Sequence, residues 1–241
     1  MRIDNAVALV TGANRGIGRA YVEALLARGA RRVYATARNA ETLAPVVELD
    51  ATRVVALPLD ITSAADVRAA AERAPDVNLL INNAGILTFA QILDGDRARL
   101  DDEMRVNYFG TLDVVRAFVP IVEANGGGSI VNMLTLIALG SLPAMGGYSA
   151  SKAASLSMTQ ALRAQLTGRG ITIHGVFPGA VDTDMIRAVE MPKTPAADVV
   201  NAVLAGVEAG IEDIFPDAMS QGMGAVWLHD PKAFERQMAA L

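Results

Sequence analysis

The chain has 241 residues, of which 52% are hydrophobic and 20% are charged, and its net charge at pH 7 is −5. A chain of this length and apolar content can bury a sizeable core as one large domain or two small ones. The absence of cysteine excludes disulfides, thiolate nucleophiles and cysteine metal sites, and the mild negative charge gives no reason to expect a nucleic acid or an anionic membrane as partner.

The first apolar run, within MRIDNAVALVT at residues 1–11, is too short for a signal segment or a membrane span, so it predicts a buried strand. The shortness of this run and the lack of cysteine together lead us to expect a cytoplasmic protein. Only two histidines are present, so a histidine zinc site is not expected. His174 lies in a strand-like run and is interpreted as a half-buried structural imidazole.

Seven short, β-branched apolar runs alternate with helical patterns. Because the runs are continuous rather than alternating, they predict strands that are covered on both faces. The predicted strands are Ala6–Val10, Arg32–Ala37, Arg53–Leu57, Leu79–Asn82, Ser129–Leu134, Ile171–Phe177 and Asp213–Phe215. The predicted helices are Ile17–Arg28, Ala40–Glu48, Ala64–Arg73, a pair within Arg97–Ala124, Ser149–Leu166 and Ala196–Glu208. This alternation, without a repeat or a linker, predicts one α/β domain over residues 1–241 with a doubly wound parallel sheet.

A glycine loop, TGANRGIG at residues 11–18, follows the first strand. Glycines between a strand and a helix allow a tight turn and the close approach of a pyrophosphate, and the helix N-terminus offers free N–H groups. The spacing is not that of a Walker loop, which ends in Gly-Lys-Ser/Thr. A dinucleotide site is therefore predicted, and a tight turn alone is the alternative. The predicted cofactor contacts in this loop are Gly12, Asn14, Arg15, Gly16, Ile17 and Gly18.

The second strand is followed by an arginine instead of a carboxylate. Ala37 occupies the position of the acidic residue that grips the ribose hydroxyls in NAD sites, and Arg38 comes next. Arg38 and Arg15 together place two guanidinium groups where a 2′-phosphate would lie, which predicts NADP(H) rather than NAD. A surface charge is the alternative for Arg38.

Asp60 ends the third strand. It is placed to accept a hydrogen bond from the adenine amino group, or to cap the helix that starts near Ser63.

Tyr148 and Lys152 in YSASK lie one turn apart on one helix face. A free phenol with a pKa of about 10 is a poor base at neutral pH, and a nearby cation favours the phenolate. This pair therefore predicts a proton donor or acceptor. Thr135 and Ser141 precede it as two candidates for a hydroxyl that holds the substrate.

These motifs together resemble the short-chain dehydrogenase/reductase family over nearly the whole chain. The matching segments are TGANRGIG (Thr11–Gly18), Asp60, NNAG (Asn82–Gly85), Asn107, the strand end Asn132–Thr135, YSASK (Tyr148–Lys152) and PGAVDT (Pro178–Thr183). The resemblance implies a Rossmann-like, three-layer α/β/α fold of about seven parallel strands, with cofactor and substrate at the carboxyl ends of the strands.

The resemblance also implies roles for single residues. Tyr148 is then the general acid in reduction, Lys152 bonds the nicotinamide ribose, and the backbone of Asn107 holds a water that relays protons to the lysine. A buried amide satisfied by its neighbours is the alternative for Asn107. The other cofactor contacts that it implies are Asp60, Ile61, Asn82, Ala84, Gly85, Pro178, Gly179, Val181 and Thr183.

The family places its substrate-holding serine thirteen residues before the tyrosine, which is the position of Thr135 and not of Ser141. Threonine keeps the hydroxyl, but its methyl stiffens χ1 and occupies space in the pocket. We expect a working group with an altered fit, and a slowed enzyme is the alternative.

The predicted pocket wall is aliphatic and uncharged, which favours a neutral, lipophilic carbonyl compound. Its candidates are Phe89, Leu136, Leu142, Met145, Val181, Met185 and Ile186, and core packing is the alternative for each. Residues 184–195 predict a small substrate lid. The tail, residues 216–241, departs from the family pattern and predicts a helix over Pro231–Leu241. This departure puts the tetramer common in the family in doubt and leaves a homodimer through the helices at 107–124 and 149–166.

We therefore expect an NADPH-dependent oxidoreductase that reversibly reduces a lipophilic aldehyde or ketone, without a metal. One alternative is a catalytically weak, dinucleotide-sensing regulatory protein, against which the intact Tyr148, Lys152 and Asn107 argue. Another is an epimerase or dehydratase that uses the same tyrosine and lysine. Such relatives carry a longer substrate domain than 241 residues provide.

Overall fold

The computed structural model describes residues 1–240 and has a seven-stranded parallel sheet at its centre. The strands are β1 Val7–Val10, β2 Arg32–Ala37, β3 Val54–Pro58, β4 Leu79–Asn82, β5 Gly128–Met133, β6 Ile171–Val176, the short β7 Val181–Asp182 and β8 Thr194–Pro195, and β9 Asp213–Ile214. The order in the sheet is β3-β2-β1-β4-β5-β6-β9, and all of its pairs are parallel. The predicted Rossmann-like, doubly wound sheet is confirmed.

Helices cover both faces of the sheet. They are α1 Gly16–Ala27, α2 Ala44–Val47, α3 Ala64–Arg73, α4 Arg97–Met104, α5 Thr111–Ala124, α6 Gly146–Gln165, α7 Ala196–Ala209, α8 Ala218–His229 and α9 Pro231–Ala239. One core cluster joins the sheet to α1 and α7, and a second joins it to α3, α5 and α6. Because the strands are buried on both faces, their sequences are continuously apolar. None of the helices within residues 1–240 combines the length and apolar character needed to cross a bilayer.

The predicted helix pair within Arg97–Ala124 is one continuous path interrupted by a π-helical segment, Arg105–Gly110. Such segments insert an extra residue per turn and are frequent at functional sites. Here the π-helical segment contains Asn107, which the sequence singled out.

The tail forms two helices, of which the sequence predicted only the second. The predicted helix over Pro231–Leu241 is observed as α9, and Leu241 lies outside the described residues. The first, α8, contains two glycines, which obscured its pattern. Its N-cap residue is Asp217, which forms a capping box with Ser220. A third core cluster packs the tail against residues after β5.

His174 is fully buried between the carbonyl oxygen of Ile211, at 2.6 Å, and the hydroxyl of Ser129, at 3.2 Å. This placement agrees with a structural role for the imidazole, but its burial is complete and not partial as predicted.

Candidate active site

The glycine loop closes tightly at the carboxyl end of β1. Gly12 and Gly16 have φ angles of 65° and 53°, in the left-handed region that favours glycine. A Cβ on Gly18 would lie 2.0 Å from the carbonyl oxygen of Gly12 and 2.7 Å from Nδ2 of Asn83. The loop therefore keeps this shape only with glycine at position 18.

Asn83 holds the glycine loop in place. Its Nδ2 donates to the carbonyl oxygens of Thr11, at 3.0 Å, and Gly12, at 3.2 Å. The hydroxyl of Thr11 accepts the backbone N–H groups of Asn83, at 2.9 Å, and Ala84, at 3.0 Å. Asn82, which is predicted to contact the cofactor, lies one residue earlier, and its Nδ2 donates to Oδ1 of Asn132 at 2.9 Å. The alternation of side chains along a strand was the signal that could have separated Asn83 from Asn82, because neighbouring side chains of a strand point in opposite directions.

The N-terminus of α1 has no side-chain cap, so its first N–H groups remain available for a phosphate. Arg15, at the N-cap position, has a side chain that is 70% exposed and lies 3.5 Å from a carboxylate oxygen of Asp184. Arg38 is exposed beyond β2, and its charge contributes to a lowered pKa of Asp60. Both arginines are therefore exposed beyond the carboxyl ends of β1 and β2.

Asp60 and Ile61 follow β3. The carboxylate of Asp60 accepts from the N–H of Thr62, at 2.9 Å, and from its hydroxyl, at 2.7 Å. The hydroxyl bond is the largest cause of the lowered pKa of Asp60. The alternative in which Asp60 caps the next helix is wrong, because Ser63 caps α3 by accepting from Asp66. The side chain of Ile61 belongs to the hydrophobic core.

Lys152 is buried next to the end of β5. Its side chain, in a residue only 5% exposed, donates from Nζ to the carbonyl oxygen of Met133 at 2.7 Å. The same nitrogen lies 5.7 Å from the ring centroid of Tyr148. Burial lowers the pKa of Lys152 to about 8.

Tyr148 is half-buried, and two effects raise its pKa above the usual value. Burial is the larger effect, and the negative charge of Glu103 adds to it. The phenol is therefore held as a proton donor, and a nearby positive charge is needed to stabilise the phenolate that donation would leave.

Asn107 lies in the π-helical segment, and its amide is satisfied by neighbours. Nδ2 donates to the carbonyl oxygen of Ile86, at 3.0 Å, and to Oγ of Ser151, at 2.9 Å, while Oδ1 accepts the N–H of Ile86, at 2.9 Å. The backbone carbonyl of Asn107 accepts from Oγ of Ser155 at 3.0 Å. The alternative interpretation, a buried amide satisfied by neighbours, thus describes the side chain, and the backbone water relay stays a prediction.

Thr135 follows β5 with only long hydrogen bonds on its hydroxyl. Oγ1 is 3.4 Å from the carbonyl oxygen of Pro178 and 3.4 Å from the N–H of Ile137. A hydroxyl with such weak partners remains able to bind a substrate oxygen. Ser141 is exposed in the segment beyond, seven residues before Tyr148.

The loop after β6 is anchored on the tail. The N–H of Gly179 donates to Oδ2 of Asp217 at 2.9 Å. The carbonyl oxygen of Pro178 accepts from Leu136 at 3.1 Å, which joins this loop to the residues after β5. A Cβ on Gly16 would lie 3.3 Å from the methyl of Thr183, so this loop also reaches the glycine loop.

The predicted pocket wall is partly wrong. Leu136 packs with Phe234 and Met238 of α9, and Val181 belongs to the main core, so both are core residues. Phe89 and Met185 are 43% and 41% exposed and remain available to a ligand. Leu142, Met145 and Ile186 are half-buried. The sequence could not identify Leu136 as a core residue because the residues that cover it come from the tail.

Residues of this edge of the sheet fit a dinucleotide. The glycine loop leaves the N-terminus of α1 open, and Cβ atoms at Gly12 or Gly16 would narrow the groove toward Ala84 and Thr183. Lys152 and Thr135 lie beyond the groove at the end of β5. The edge thus combines an uncapped helix N-terminus with a phenol, a cation and a hydroxyl.

Known proteins are similar in sequence to this chain. A family model described as short chain dehydrogenase matches residues 6–193. The sorbitol dehydrogenase of Cereibacter sphaeroides is 35% identical over 187 residues, which are 76% of this chain and 73% of that relative.

Two solved structures extend the likeness to the tail. A short chain dehydrogenase from Burkholderia cenocepacia J2315 in complex with NADP is 42% identical, with a TM-score of 0.92 and coverage of 99% of both chains. A short chain dehydrogenase/reductase from Burkholderia phymatum in complex with NAD is 25% identical, with a TM-score of 0.88 and coverage of 97% of this chain and 96% of that one.

Proposed function

The chain belongs to the short-chain dehydrogenase/reductase family, and from that premise we propose that this oxidoreductase uses NADPH to reduce a lipophilic aldehyde or ketone to an alcohol, reversibly. One observation carries the proposal: the buried Lys152 lies 5.7 Å from the ring of Tyr148, at the strand end that also bears Thr135. A sensor without catalysis does not need a buried cation beside a phenol, because burying that cation destabilises the fold.

The choice of NADP(H) rests on charge. Arg15 and Arg38 flank the groove, and Ala37 offers no carboxylate to a ribose hydroxyl. Asp60 and the backbone of Ile61 face the adenine side in this assignment. Ala84, Gly85 and the Pro178–Thr183 loop serve the nicotinamide side.

The nicotinamide, when bound, supplies a hydride to the carbonyl carbon. Thr135 donates a hydrogen bond from Oγ1 to the carbonyl oxygen and fixes its position. Tyr148 then gives its proton to that oxygen, so that the product is the alcohol. Lys152 stabilises the phenolate that remains. A water held on the carbonyl oxygen of Asn107 returns a proton to the site through Lys152.

A neutral, lipophilic substrate is inferred from the exposed wall residues Phe89 and Met185, which carry no charge. The similarity to a sorbitol dehydrogenase makes polyols the alternative class. The lid is residues 184–195. Its ends are held together by the β7–β8 pair, and Asp184 contacts Arg15 of the glycine loop. A homodimer through α5 and α6 completes the proposed assembly.

NADPH oxidation by the purified protein, with a panel of aliphatic and aryl aldehydes, ketones, diketones and ketoses, tests the proposal. Thr135→Val removes the hydroxyl and keeps the shape, so we expect kcat/KM to fall about 100-fold. Thr135→Ser should stay within about threefold of the parent, because it retains the donor. Ser141→Ala is the matched control and should leave the rate unchanged.

Equal rates for Thr135→Val and the parent would contradict the role of this hydroxyl. Bound NADPH without turnover of any carbonyl, in the parent and in Thr135→Ser alike, would contradict the reductase. Faster turnover of ketoses than of apolar ketones would contradict the lipophilic substrate class.

A further inference from the structure

Glu103 is a fully buried carboxylate that the proposed mechanism does not use. It lies in α4, one turn before Asn107. Its Oε1 accepts the N–H of Thr88 at 2.7 Å and the hydroxyl of Thr88 at 2.8 Å. Its Oε2 is buried and has no hydrogen-bond partner within residues 1–240. A carboxylate oxygen buried without a donor is unfavourable, so its retention calls for an explanation.

The free oxygen faces the helix that bears the candidate proton donor. A Cβ on Gly147 would lie 2.4 Å from Oε2 of Glu103, so the carboxylate touches the first turn of α6. Met145, the N-cap residue of α6, provides no side-chain cap. The carboxylate therefore lies at the positive end of the helix dipole, which compensates part of its burial. Tyr148 is the next residue after Gly147.

Glu103 and Asn107 also fix the exit loop of β4, which we define as residues 86–90. Asn107 binds both backbone groups of Ile86, and Glu103 binds Thr88. On the other side, the N–H of Gly147 donates to the carbonyl oxygen of Ala90 at 3.1 Å. Phe89, between these bonds, has a φ of 53°, an uncommon value for a bulky residue. The exit loop is thus clamped between α4 and α6.

A clamp alone does not need a charge. The two bonds from Thr88 require an acceptor, and an amide oxygen would serve equally well. Two charged groups lie near Tyr148: Glu103 acts on its pKa from α4, and Nζ of Lys152, one turn along α6, is 5.7 Å from its ring centroid. The negative charge of Glu103 opposes the phenolate and raises the pKa of Tyr148. In such a buried place charge–charge interactions are strong, because little water screens them.

We propose that Glu103 is a positioning residue for the proton donor, and that its buried carboxylate beside Gly147 keeps Tyr148 in the neutral form that donates a proton. The inference rests on the proposed role of Tyr148 in carbonyl reduction. Its consequence is directional: reduction is sustained at neutral and mildly alkaline pH, whereas alcohol oxidation, which needs the phenolate, requires a higher pH.

Glu103→Gln tests the proposal, because glutamine keeps the shape and the acceptor for Thr88 but removes the charge. The measurement is the pH dependence of kcat/KM for alcohol oxidation and for carbonyl reduction. We expect both the rising oxidative limb and the falling reductive limb to move to lower pH by about one unit. Two control variants retain Glu103: Thr88→Val removes one bond of the clamp, and Asp101→Asn removes an exposed charge from the same helix. In both variants, the limbs of the pH dependence of kcat/KM should stay where they are in the parent.

If the limbs of the pH profile of Glu103→Gln lie within about 0.2 pH unit of those of the parent, the proposal is overturned. A shift of that size is negligible beside the proposed effect of the Glu103 charge on Tyr148. An equal shift in Thr88→Val would also overturn it, since the clamp would then be the cause. If Glu103→Gln does not fold, Glu103→Met replaces it as the uncharged variant. Unfolding of both variants would show that the carboxylate serves structure, and would overturn the proposal.

A second measurement separates this inference from the proposed function. The tyrosinate absorbance of the parent and of Glu103→Gln is titrated, with Tyr148→Phe in each background as the blank. A lower midpoint for Tyr148 in Glu103→Gln supports the inference even when no carbonyl is turned over. An unchanged midpoint for Tyr148 contradicts the inference even when the protein reduces a carbonyl compound with NADPH.

Discussion

The glycine loop and the proton-transfer corner, by which we mean Glu103, Tyr148 and Lys152, lie at the same edge of the sheet but are built differently. The glycine loop is held by close steric contact and by the neutral groups of Asn83 and Thr11. The corner buries two ionisable side chains beside a phenol. The cofactor framework is therefore expected to be insensitive to pH, whereas the corner gives up stability for control of a proton.

Removing the buried cation should have the largest effect. Lys152→Met is expected to lower kcat/KM about 1,000-fold, because the phenolate left by Tyr148 loses its stabilising charge.

The same change should alter stability in a pH-dependent way. The pKa of Lys152 is lowered to about 8 in the folded chain, so between this value and about 10.4 the unfolded chain binds the extra proton. The free energy of unfolding of the parent therefore rises with pH across that window.

Urea unfolding of the parent and of Lys152→Met, without cofactor, measures this effect. The free energy of unfolding of Lys152→Met minus that of the parent should be larger at pH 7 than at pH 10, by about 1–3 kcal/mol. A difference between the two proteins that is the same at both pH values would show that Lys152 carries no burial penalty, and the contrast with the glycine loop would fail.

Changing the steric framework should have the next largest effect. Gly18→Ala places a Cβ 2.0 Å from the carbonyl oxygen of Gly12, so the loop must open. We expect the affinity for NADPH to fall about 100-fold, to a similar extent at every pH, as measured by fluorescence titration. Gly222→Ala is the control, since a Cβ there meets nothing within 4 Å. A pH-dependent loss in Gly18→Ala would contradict a purely steric role.

Changing an exposed charge at the groove should have the smallest effect. Arg38→Gln is expected to lower the ratio of kcat/KM with NADPH to kcat/KM with NADH about tenfold, because a bidentate phosphate contact is lost. Arg31→Gln is the matched control: it is also exposed, but it precedes β2 at the opposite end of the strand. Equal ratios for Arg38→Gln and the parent would show that the charge of Arg38 does not favour NADP(H) over NAD(H).

Features that depend on short stretches of sequence were predictable, and features that depend on contacts between distant segments were not. The strands and the glycine loop follow from apolar runs and glycine spacing, which are local. The contacts of Asn83 that hold the glycine loop were not predicted, because they are made to Thr11 and Gly12, 72 and 71 residues earlier in the chain. The burial of Glu103 could not be predicted, because it depends on Gly147, 44 residues later in the chain. Leu136 was misjudged because α9 covers it.

The bond from Gly179 to Asp217 also has a consequence for synthesis. The two residues are 38 positions apart, and at about 5–20 residues per second a ribosome needs roughly 2–8 s to extend the chain from one to the other. During that interval the strands up to β6 have been made, but the loop that follows them lacks its anchor. Nascent chains should therefore acquire the strands up to β6 before the loop that follows β6 is fixed. A slow codon placed between these two positions would lengthen the exposure of that loop to proteases and chaperones.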